Sequence, residues 1–252
     1  MALADDAGAA PVVVKQDWLR ALKALRRLLA DKDDTAQVFI IMRALNSKQT
    51  ARNYWRLLTT VDGGRLAYER VELAPRLMDE AWLESLPPGS VGAAYREFVR
   101  GERLSAQALV EISQKGTTTI EDKHPYAWFG RRTRDAHDIW HVLAGYGRDP
   151  LGEACLVAFS FAQTRGAGWA LIAIGVALRS QRYDGYPYRR AIWEGFRRGL
   201  KARWLLGADY ERLLAEPLEA VRARFRIPPP RIYESIPPAF RERAVPRGAP
   251  KT

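Results

Sequence analysis

The sequence predicts an all-α protein, a single-domain bundle of many helices. Apolar residues recur every three or four positions through most of the chain, first at Trp18, Leu22, Leu25 and Leu29, and this spacing places them on one face of a helix. Only one short run, residues 117–120, has the composition of a strand. No internal repeat and no long heptad pattern is present, so neither a solenoid nor a coiled coil is indicated.

The predicted helices begin and end at recognisable residues. The first starts near Asp17, residues 33–35 offer caps for a second, and Ser47 offers a cap for a third, which the Val-Asp-Gly-Gly segment at 61–64 interrupts. Asp149 followed by Pro150 is typical of a helix start. The remaining helices are predicted near residues 75–83, 95–99, 105–112, 126–143, 150–164, 167–180, 188–206 and 217–225.

The two ends of the chain differ from its middle. Residues 1–15 have no periodic apolar pattern and are expected to be a disordered tail, and residues 16–226 are expected to form the helical domain. Seven of the fifteen prolines lie in residues 227–252. Because proline lacks the backbone N–H and clashes inside a helix, this proline-rich segment is expected to be extended or disordered.

The charge of the chain favours anionic partners. Its formal net charge is +11 and its isoelectric point is about 10.0, which suits acidic lipids, nucleic acid or acidic substrates. No helix-turn-helix, RNA-binding or zinc-finger signature occurs, so nucleic acid is not the expected partner. The single cysteine, Cys155, excludes an intrachain disulfide.

A membrane surface is one anionic partner that the sequence suggests. The longest apolar stretch without charge, residues 166–178, has 13 residues, whereas a bilayer-spanning helix needs about 20. The first residues resemble neither a secretory signal nor a mitochondrial transit peptide. Residues 189–203 alternate basic with large apolar side chains, which predicts an amphipathic helix for an acidic membrane or an ordinary solvated helix face. A soluble or peripherally membrane-bound protein is expected.

Four residues form a candidate metal site. His137 and His141 are four apart in a predicted helix and therefore lie on one face, Asp138 lies at the edge of that face, and Glu153 begins the next helix. If the two helices are antiparallel, Glu153 returns opposite His141. Nitrogen and carboxylate ligands suit Zn²⁺, Fe²⁺, Mn²⁺ or Co²⁺. The alternatives are a buried histidine pair, a glutamate that favours a helix N-terminus, and an Asp138 that pairs with Arg134.

This pattern resembles the coenzyme Q biosynthesis protein 4 family. Members of that family carry His-Asp-x-x-His, then eleven residues, then Glu, and this chain has eleven residues between His141 and Glu153. Arg132 and Arg134 match arginines that precede the family motif. Upstream, residues 86–92, Leu-Pro-x-Gly-Ser-x-Gly, are similar to the family's Leu-Pro-x-Gly-Thr-x-Gly. The clear resemblance covers about residues 84–180.

The chain also departs from the family pattern. Where the family usually continues Gln-Thr-Gly-Leu-Pro, residues 163–167 read Gln-Thr-Arg-Gly-Ala. Ser160 stands where a carboxylate is common, and Thr133 stands where the family has a tyrosine. These differences concern the shape of the pocket and the exact substrate rather than the four candidate ligands.

The resemblance implies a lyase of ubiquinone biosynthesis. The implied reaction is metal-dependent, oxidative removal of the C1 carboxylate from a polyprenylated 4-hydroxybenzoate, of the 4-hydroxy-3-methoxy-5-polyprenylbenzoate type. His137, Asp138, His141 and Glu153 would hold the metal, with zinc favoured by the resemblance. Arg134 and Glu153 are the expected catalytic residues on separate grounds: Arg134, three residues before His137, would pair with the substrate carboxylate or orient a ligand, and Glu153 would act as a base if it is not a ligand. The alternative is a non-catalytic lipid-binding scaffold that organises the biosynthetic complex.

The resemblance also implies partners and a location. The expected partners are a polyprenylated aromatic lipid as substrate, the other ubiquinone-biosynthesis proteins, an anionic membrane surface and a second copy of the chain in a homodimer. The expected location is the bacterial cytoplasm, at the inner face of the cytoplasmic membrane.

Overall fold

The computed structural model describes residues 15–31, 34–100, 124–180 and 185–244. In these residues the protein is all-α and forms a single helical domain, which confirms the predicted fold class. The elements are α1 Trp18–Ala30, α2 Ala36–Leu45, α3 Ser47–Leu58, α4 Gly63–Glu69, α5 Leu73–Met78, α6 Glu80–Ser85, α7 Val91–Val99, α8 Pro125–Ala144, α9 Pro150–Thr164, α10 Ala167–Arg179, α11 Tyr188–Lys201, a 3₁₀ turn Leu205–Gly207, α12 Tyr210–Leu213, α13 Leu218–Phe225, α14 Arg231–Glu234 and α15 Pro238–Arg241.

The main core surrounds α8 and α9. Trp128, Phe129, Trp140 and Phe159 on these two helices are almost fully buried, and a fully buried side chain of this size contributes roughly 1.5–3 kcal/mol. Helix α9 packs most extensively against α11. A smaller apolar cluster joins α1 and α2 to α10. The two long helices α8 and α9 are therefore held between the remaining elements.

Two glycines in α11 allow the close approach of α9. A Cβ atom at Gly195 would lie 2.4 Å from the Cys155 carbonyl oxygen, and one at Gly199 would lie 2.6 Å from the Phe159 carbonyl oxygen. Both distances are shorter than real Cβ contacts, so any larger side chain would push the helices apart.

Several predicted boundaries shift for identifiable reasons. The helix expected near residues 75–83 is two short helices, because Asp79 leaves helical geometry and its side chain accepts a hydrogen bond from the Trp82 N–H, which caps α6. The helix expected over 188–206 ends at Lys201. The predicted strand run at 117–120 and the helix expected at 105–112 lie outside the described residues.

Residues 227–244 correct the expectation of an extended tail. They form α14 and α15, and Tyr233, Ile236 and Ala244 are buried against the main core. The prolines do not prevent this, because Pro230 and Pro237 lie just before the two helices and Pro238 occupies a first helical position, where no backbone N–H is needed. The apolar side chains between the prolines supply the burial. Residues 1–14 and 245–252 lie outside the described part.

Candidate metal centre

Helix α8 carries three of the four candidate ligands. His124 caps its start by accepting a hydrogen bond from the Tyr126 N–H, and Gly145 ends it in the left-handed conformation at φ 73°. His137, Asp138 and His141 each offer one ligand atom, and these atoms lie within 4.8 Å of one another. The two imidazole rings are 5.2 Å apart and nearly perpendicular. The spacing along α8 therefore brings three potential ligands together.

The fourth candidate comes from the start of α9. Asp149 caps this helix by accepting a hydrogen bond from the Gly152 N–H at 2.9 Å. Glu153 then lies in the first turn, with its Oε1 atom 3.1 Å from His141 Nε2. Its side chain is 45% exposed, whereas that of His141 is 1% exposed. Glu153 is thus the ligand candidate at the open edge of the site.

The other nitrogen of His141 is oriented by the backbone. His141 Nδ1 lies 3.1 Å from the Tyr146 carbonyl oxygen. Because a carbonyl only accepts, we assign the proton to Nδ1, so Nδ1–H donates to Tyr146 and Nε2 faces Glu153. A second hydrogen bond of this kind is the usual way in which proteins orient a metal-binding imidazole.

The two histidines have opposite pKa shifts. Burial, followed by the neighbouring His141, lowers the pKa of His137 to about 4. Burial also works against the charged form of His141, but the Glu153 carboxylate outweighs it, and the pKa of His141 is raised. Burial acts against ionisation of Glu153 as well, yet His141 holds the pKa of this carboxyl below its usual value. His141 and Glu153 therefore stabilise each other's charged forms.

The donor set fits a divalent metal ion. Among the described residues, the Nε2 atom of His137 is buried and has no hydrogen-bond partner, although an unpaired buried polar atom costs about 1–3 kcal/mol. A metal ion satisfies such an atom. Two imidazoles and two carboxylates are ligands of zinc and of the other first-row divalent ions, and the carboxylates balance the charge of the ion.

Aromatic rings cover both histidines. Trp169 stacks on His137 with ring centroids 5.4 Å apart, and Phe98 stacks on His141 at 5.0 Å. Burial together with the charge of Asp138 raises the pKa of Tyr95, so this phenol stays protonated beside the site. Sequence reasoning did not find Trp169 or Phe98, because no spacing relates either to the motif and both lie on other helices.

The arginines near the motif have distinct partners. Arg132 is 3% exposed and binds both oxygens of Glu211 at 2.8 and 2.7 Å, which anchors α8 to α12. Arg134 Nε donates to Asp135 at 2.7 Å. The sequence had suggested Asp138 as the partner of Arg134. Arg148, from the loop between α8 and α9, lies 4.0 Å from Asp138. Sequence reasoning assigned no role to Arg148.

The predicted basic face on α11 is present in part. Arg189, Arg190, Arg197 and Lys201 are exposed, as are Trp193 and Leu200. Arg198 is buried instead and donates to the Ala144 and Pro228 carbonyl oxygens. None of the described helices combines the length and the apolar character required to cross a bilayer.

Comparisons with known proteins agree with one another. The family model described as "Coenzyme Q (ubiquinone) biosynthesis protein Coq4" matches residues 14–231. Similar curated proteins include the "Ubiquinone biosynthesis protein COQ4 homolog, mitochondrial" of Rattus norvegicus, 28% identical over 67% of this chain, and that of Danio rerio, 27% identical over 72%. The chain spans only 62% and 66% of the length of these two relatives.

A solved structure has the same fold. A crystal structure of a candidate ubiquinone biosynthesis protein from Nostoc punctiforme superposes with a TM-score of 0.61. It covers 84% of this chain and 99% of its own, at 23% sequence identity.

Proposed function

Since the chain belongs to the coenzyme Q (ubiquinone) biosynthesis protein Coq4 family, we propose that it is a metal-dependent lyase of ubiquinone biosynthesis. It removes the C1 carboxylate from a polyprenylated 4-hydroxybenzoate. The observation that carries the proposal is the convergence of His137, Asp138 and His141 within 4.8 Å, with Glu153 3.1 Å from His141. Zinc is the metal that the family resemblance favours, and iron, manganese or cobalt suit the same ligands.

The side chains of the site have different roles in the proposed reaction. His137, Asp138, His141 and Glu153 hold the ion, which when bound acts as a Lewis acid that stabilises negative charge on the substrate. Glu153 lies at the exposed edge of the site, and His141 lowers the pKa of its carboxyl, so its carboxylate would accept the phenol proton. The bond between the ring and the carboxylate then breaks, carbon dioxide leaves, and the ring carbon takes a proton from water. Trp169 and Phe98 keep bulk water from the histidines.

The test combines metal analysis with product analysis. We expect the purified protein to hold about one divalent ion per chain and to release carbon dioxide from a prenylated 4-hydroxybenzoate. The double variant His137→Ala, His141→Ala should lose both properties. The third histidine supplies the matched control, because His124 caps the start of α8 and is not one of the candidate ligands, so His124→Ala should keep the metal. Oxidative removal of the carboxylate needs dioxygen, whereas simple decarboxylation does not. Incubations under air and under nitrogen therefore distinguish the oxidative from the non-oxidative reaction.

The outcomes separate the enzyme from the scaffold. Metal that is lost in the double variant, together with carbon dioxide release, supports the lyase. Metal without turnover favours the alternative, a lipid-binding scaffold with a structural ion. If the wild-type protein binds no metal and the double variant folds normally, the proposed metal site is wrong.

We propose further that the protein lies on the inner face of a bacterial cytoplasmic membrane as a homodimer, beside other ubiquinone-biosynthesis proteins. Support comes from the exposed face of α11, where Trp193 is 58% and Leu200 45% exposed among basic residues. Arg189 donates to the Ala177 and Leu178 carbonyl oxygens at the end of α10, and Leu178 is itself 71% exposed. Exposed apolar side chains beside arginines suit an anionic lipid surface.

A further inference from the structure

Helices α1 and α10 both expose large apolar side chains to solvent. On α1 these are Trp18, Leu19 and Leu22, and on α10 they are Ile174 and Leu178, each about half exposed or more. Single apolar residues at a surface are ordinary, whereas a contiguous patch marks an interaction site. The relative direction of the two helices decides whether these five residues form one patch.

The two helices begin at the same place. The Asp17 N–H, just before α1, donates to the Ala44 carbonyl oxygen at 3.0 Å, and the Gly168 N–H, in the first turn of α10, donates to Asn46 Oδ1 at 2.8 Å. Both helices therefore start beside the end of α2, and both contribute to the same apolar cluster. They run side by side in the same direction.

The exposed residues of the two helices face the same side. Leu25 and Gly175 meet about two turns into each helix, since a Cβ atom at Gly175 would lie 3.0 Å from Leu25 Cδ1. Leu22 is three positions before Leu25, and Leu178 is three positions after Gly175. At about 100° per residue, they lie about 60° from the contact in opposite senses. In helices that run in the same direction, opposite rotations lead to the same side.

These side chains therefore form one outer surface, here called the α1–α10 face. It consists of Trp18, Leu19, Leu22, Ile174 and Leu178.

The α1–α10 face is accompanied by basic residues. Neither helix contains an aspartate or a glutamate, although Asp17 and Asp31 border α1. The basic side chains of the two helices are all exposed: Arg20, Lys23, Arg26, Arg27 and Arg179. Apolar side chains beside basic ones suit an anionic lipid surface. A second copy seated here about a two-fold axis would bring the basic residues of both copies together, which opposes association.

Two further contacts relate this face to the rest of the molecule. Arg189 of α11 donates to the Ala177 and Leu178 carbonyl oxygens, so the α1–α10 face continues onto the basic face of α11. Trp169, which stacks on His137, precedes Leu178 by nine positions and so lies about half a turn round α10 from it. One side of α10 thus covers the candidate metal centre, and the other belongs to the α1–α10 face.

We propose that the α1–α10 face inserts into an anionic membrane, with its five apolar side chains among the acyl chains and the basic residues of α1 at the headgroups. The inference rests on the membrane location within the proposed function, and it assigns the insertion to helices that the sequence did not single out. A prenylated substrate in the same membrane is then separated from the metal centre by the width of α10.

The first experiment places an environment-sensitive fluorophore at single positions of the whole chain. Leu22→Cys and Leu178→Cys report on the face, and Trp55→Cys, on α3, is the equally exposed control. The natural Cys155 is fully buried and should stay unlabelled. On addition of phosphatidylglycerol vesicles we expect the two probes on the face to brighten and shift to the blue, and the probe at residue 55 to remain unchanged.

The second experiment removes the apolar side chains. Leu22→Ser with Leu178→Ser should weaken binding to phosphatidylglycerol vesicles by about 10- to 100-fold, as expected for two leucines that no longer enter the lipid. Val61→Ser with Tyr68→Ser is the matched control, because both residues are more exposed still and lie elsewhere, so this pair should bind as the wild type does. Circular dichroism and metal content should be the same in all variants.

Three results would overturn the inference. In the first, vesicles bind the protein but leave the probes at residues 22 and 178 unchanged. In the second, the Leu22→Ser, Leu178→Ser variant binds vesicles as tightly as the wild type, and its sedimentation shows whether the face instead joins two copies. In the third, the wild-type protein binds no vesicles, which also contradicts the membrane location. Metal content and carbon dioxide release test the lyase separately, so its failure and the failure of this inference are distinguishable.

Discussion

His137 and His141 lie one turn apart on α8, yet their surroundings move their pKa values in opposite directions. Trp169 stacks on the His137 ring, and within the described part of the chain Asp138, at 4.0 Å, is the one carboxylate at salt-bridge distance from His137. His141 lies 3.1 Å from Glu153. Identical side chains thus have pKa values shifted in opposite directions, and the lowered pKa of His137 leaves its imidazole neutral at neutral pH, with a lone pair for a metal ion.

This difference predicts the proton balance of metal binding. With its pKa at about 4, His137 carries no proton at neutral pH, whereas the pKa of His141 is raised. We therefore expect zinc binding at neutral pH to release no more than one proton from the two histidines, and zinc affinity to fall as the pH falls through the pKa of His141. Calorimetric titration in buffers with different ionisation enthalpies measures the number of protons released.

A glutamine variant provides the control for the proton balance. Glu153→Gln removes the carboxylate that raises the pKa of His141, so fewer protons should be released at the same pH. Release of two protons by the wild-type protein at neutral pH would contradict the assignment of a neutral His137.

At the scale of elements, the metal centre depends on how α9 is placed. Glu153 reaches His141 because the turn at residues 145–149 places the first turn of α9 beside the last turns of α8. The position of α9 is fixed from its other side by α11, through the contacts of Gly195 and Gly199 with the backbone carbonyl groups of α9. The glycines of α11 therefore support the candidate metal centre without touching it.

We expect Gly195→Ala to destabilise the protein. The added methyl group would lie 2.4 Å from the Cys155 carbonyl oxygen, and forcing an extra group into a packed helix contact costs typically 1–3 kcal/mol. Alanine favours a helix over glycine by about 1 kcal/mol. This gain is smaller than most of the expected packing cost, so a net loss of stability is expected. Urea denaturation measures the change in the free energy of unfolding.

Gly64→Ala is the matched control. Gly64 lies in α4, and a Cβ atom there would meet nothing within 4 Å. The same substitution should therefore leave the free energy of unfolding unchanged or raise it by about 0.4–1 kcal/mol. Equal effects of the two substitutions would show that the contact between α9 and α11 is not as close as described.

At the scale of the whole molecule, the basic side chains behind the net charge of +11 fall into a buried group and an exposed group. Some arginines, such as Arg132 and Arg198, are buried and donate hydrogen bonds inside the protein. Others remain exposed on α11 with Trp193 and Leu200 between them. The proposed contact with a membrane is therefore a property of one surface rather than of the overall charge alone.

This surface predicts preferential binding to anionic vesicles. We expect the protein to sediment with phosphatidylglycerol vesicles more than with phosphatidylcholine vesicles, and less at high salt. Arg190→Gln with Arg197→Gln removes two basic residues, each worth about 1 kcal/mol near an anionic surface, so affinity should fall about 30-fold.

Two tryptophans allow a matched comparison on the same vesicles. Trp193→Ser should weaken binding, whereas Trp55→Ser should not, because Trp55 is equally exposed, at 61%, but lies on α3. Equal binding by all variants would show that another surface contacts the lipid.

The sequence by itself determined the helical class and the candidate ligands on α8. Apolar periodicity and helix caps are local properties, and so is the spacing that places His137 and His141 on one face. They were sufficient to predict the bundle and the cluster of His137, Asp138 and His141, and the helix start at Asp149 and Pro150 indicated that Glu153 follows near them. The proline content of residues 227–244 was a poorer guide, because composition does not reveal whether side chains such as Tyr233 find a core to enter.

Only the tertiary structure decided what surrounds the ligands. Trp169 and Phe98 come from two different helices and stack on the histidines, and Arg148, from the loop between α8 and α9, lies 4.3 Å from the Phe98 ring. Tyr233, about 85 residues from the loop it fixes, is buried by the same core. Contacts of this kind depend on how helices pack against one another and leave no periodic trace in the chain. The sequence therefore identified the groups that could hold an ion, and the packing of the helices decided their burial, their orientation and the side chains beside them.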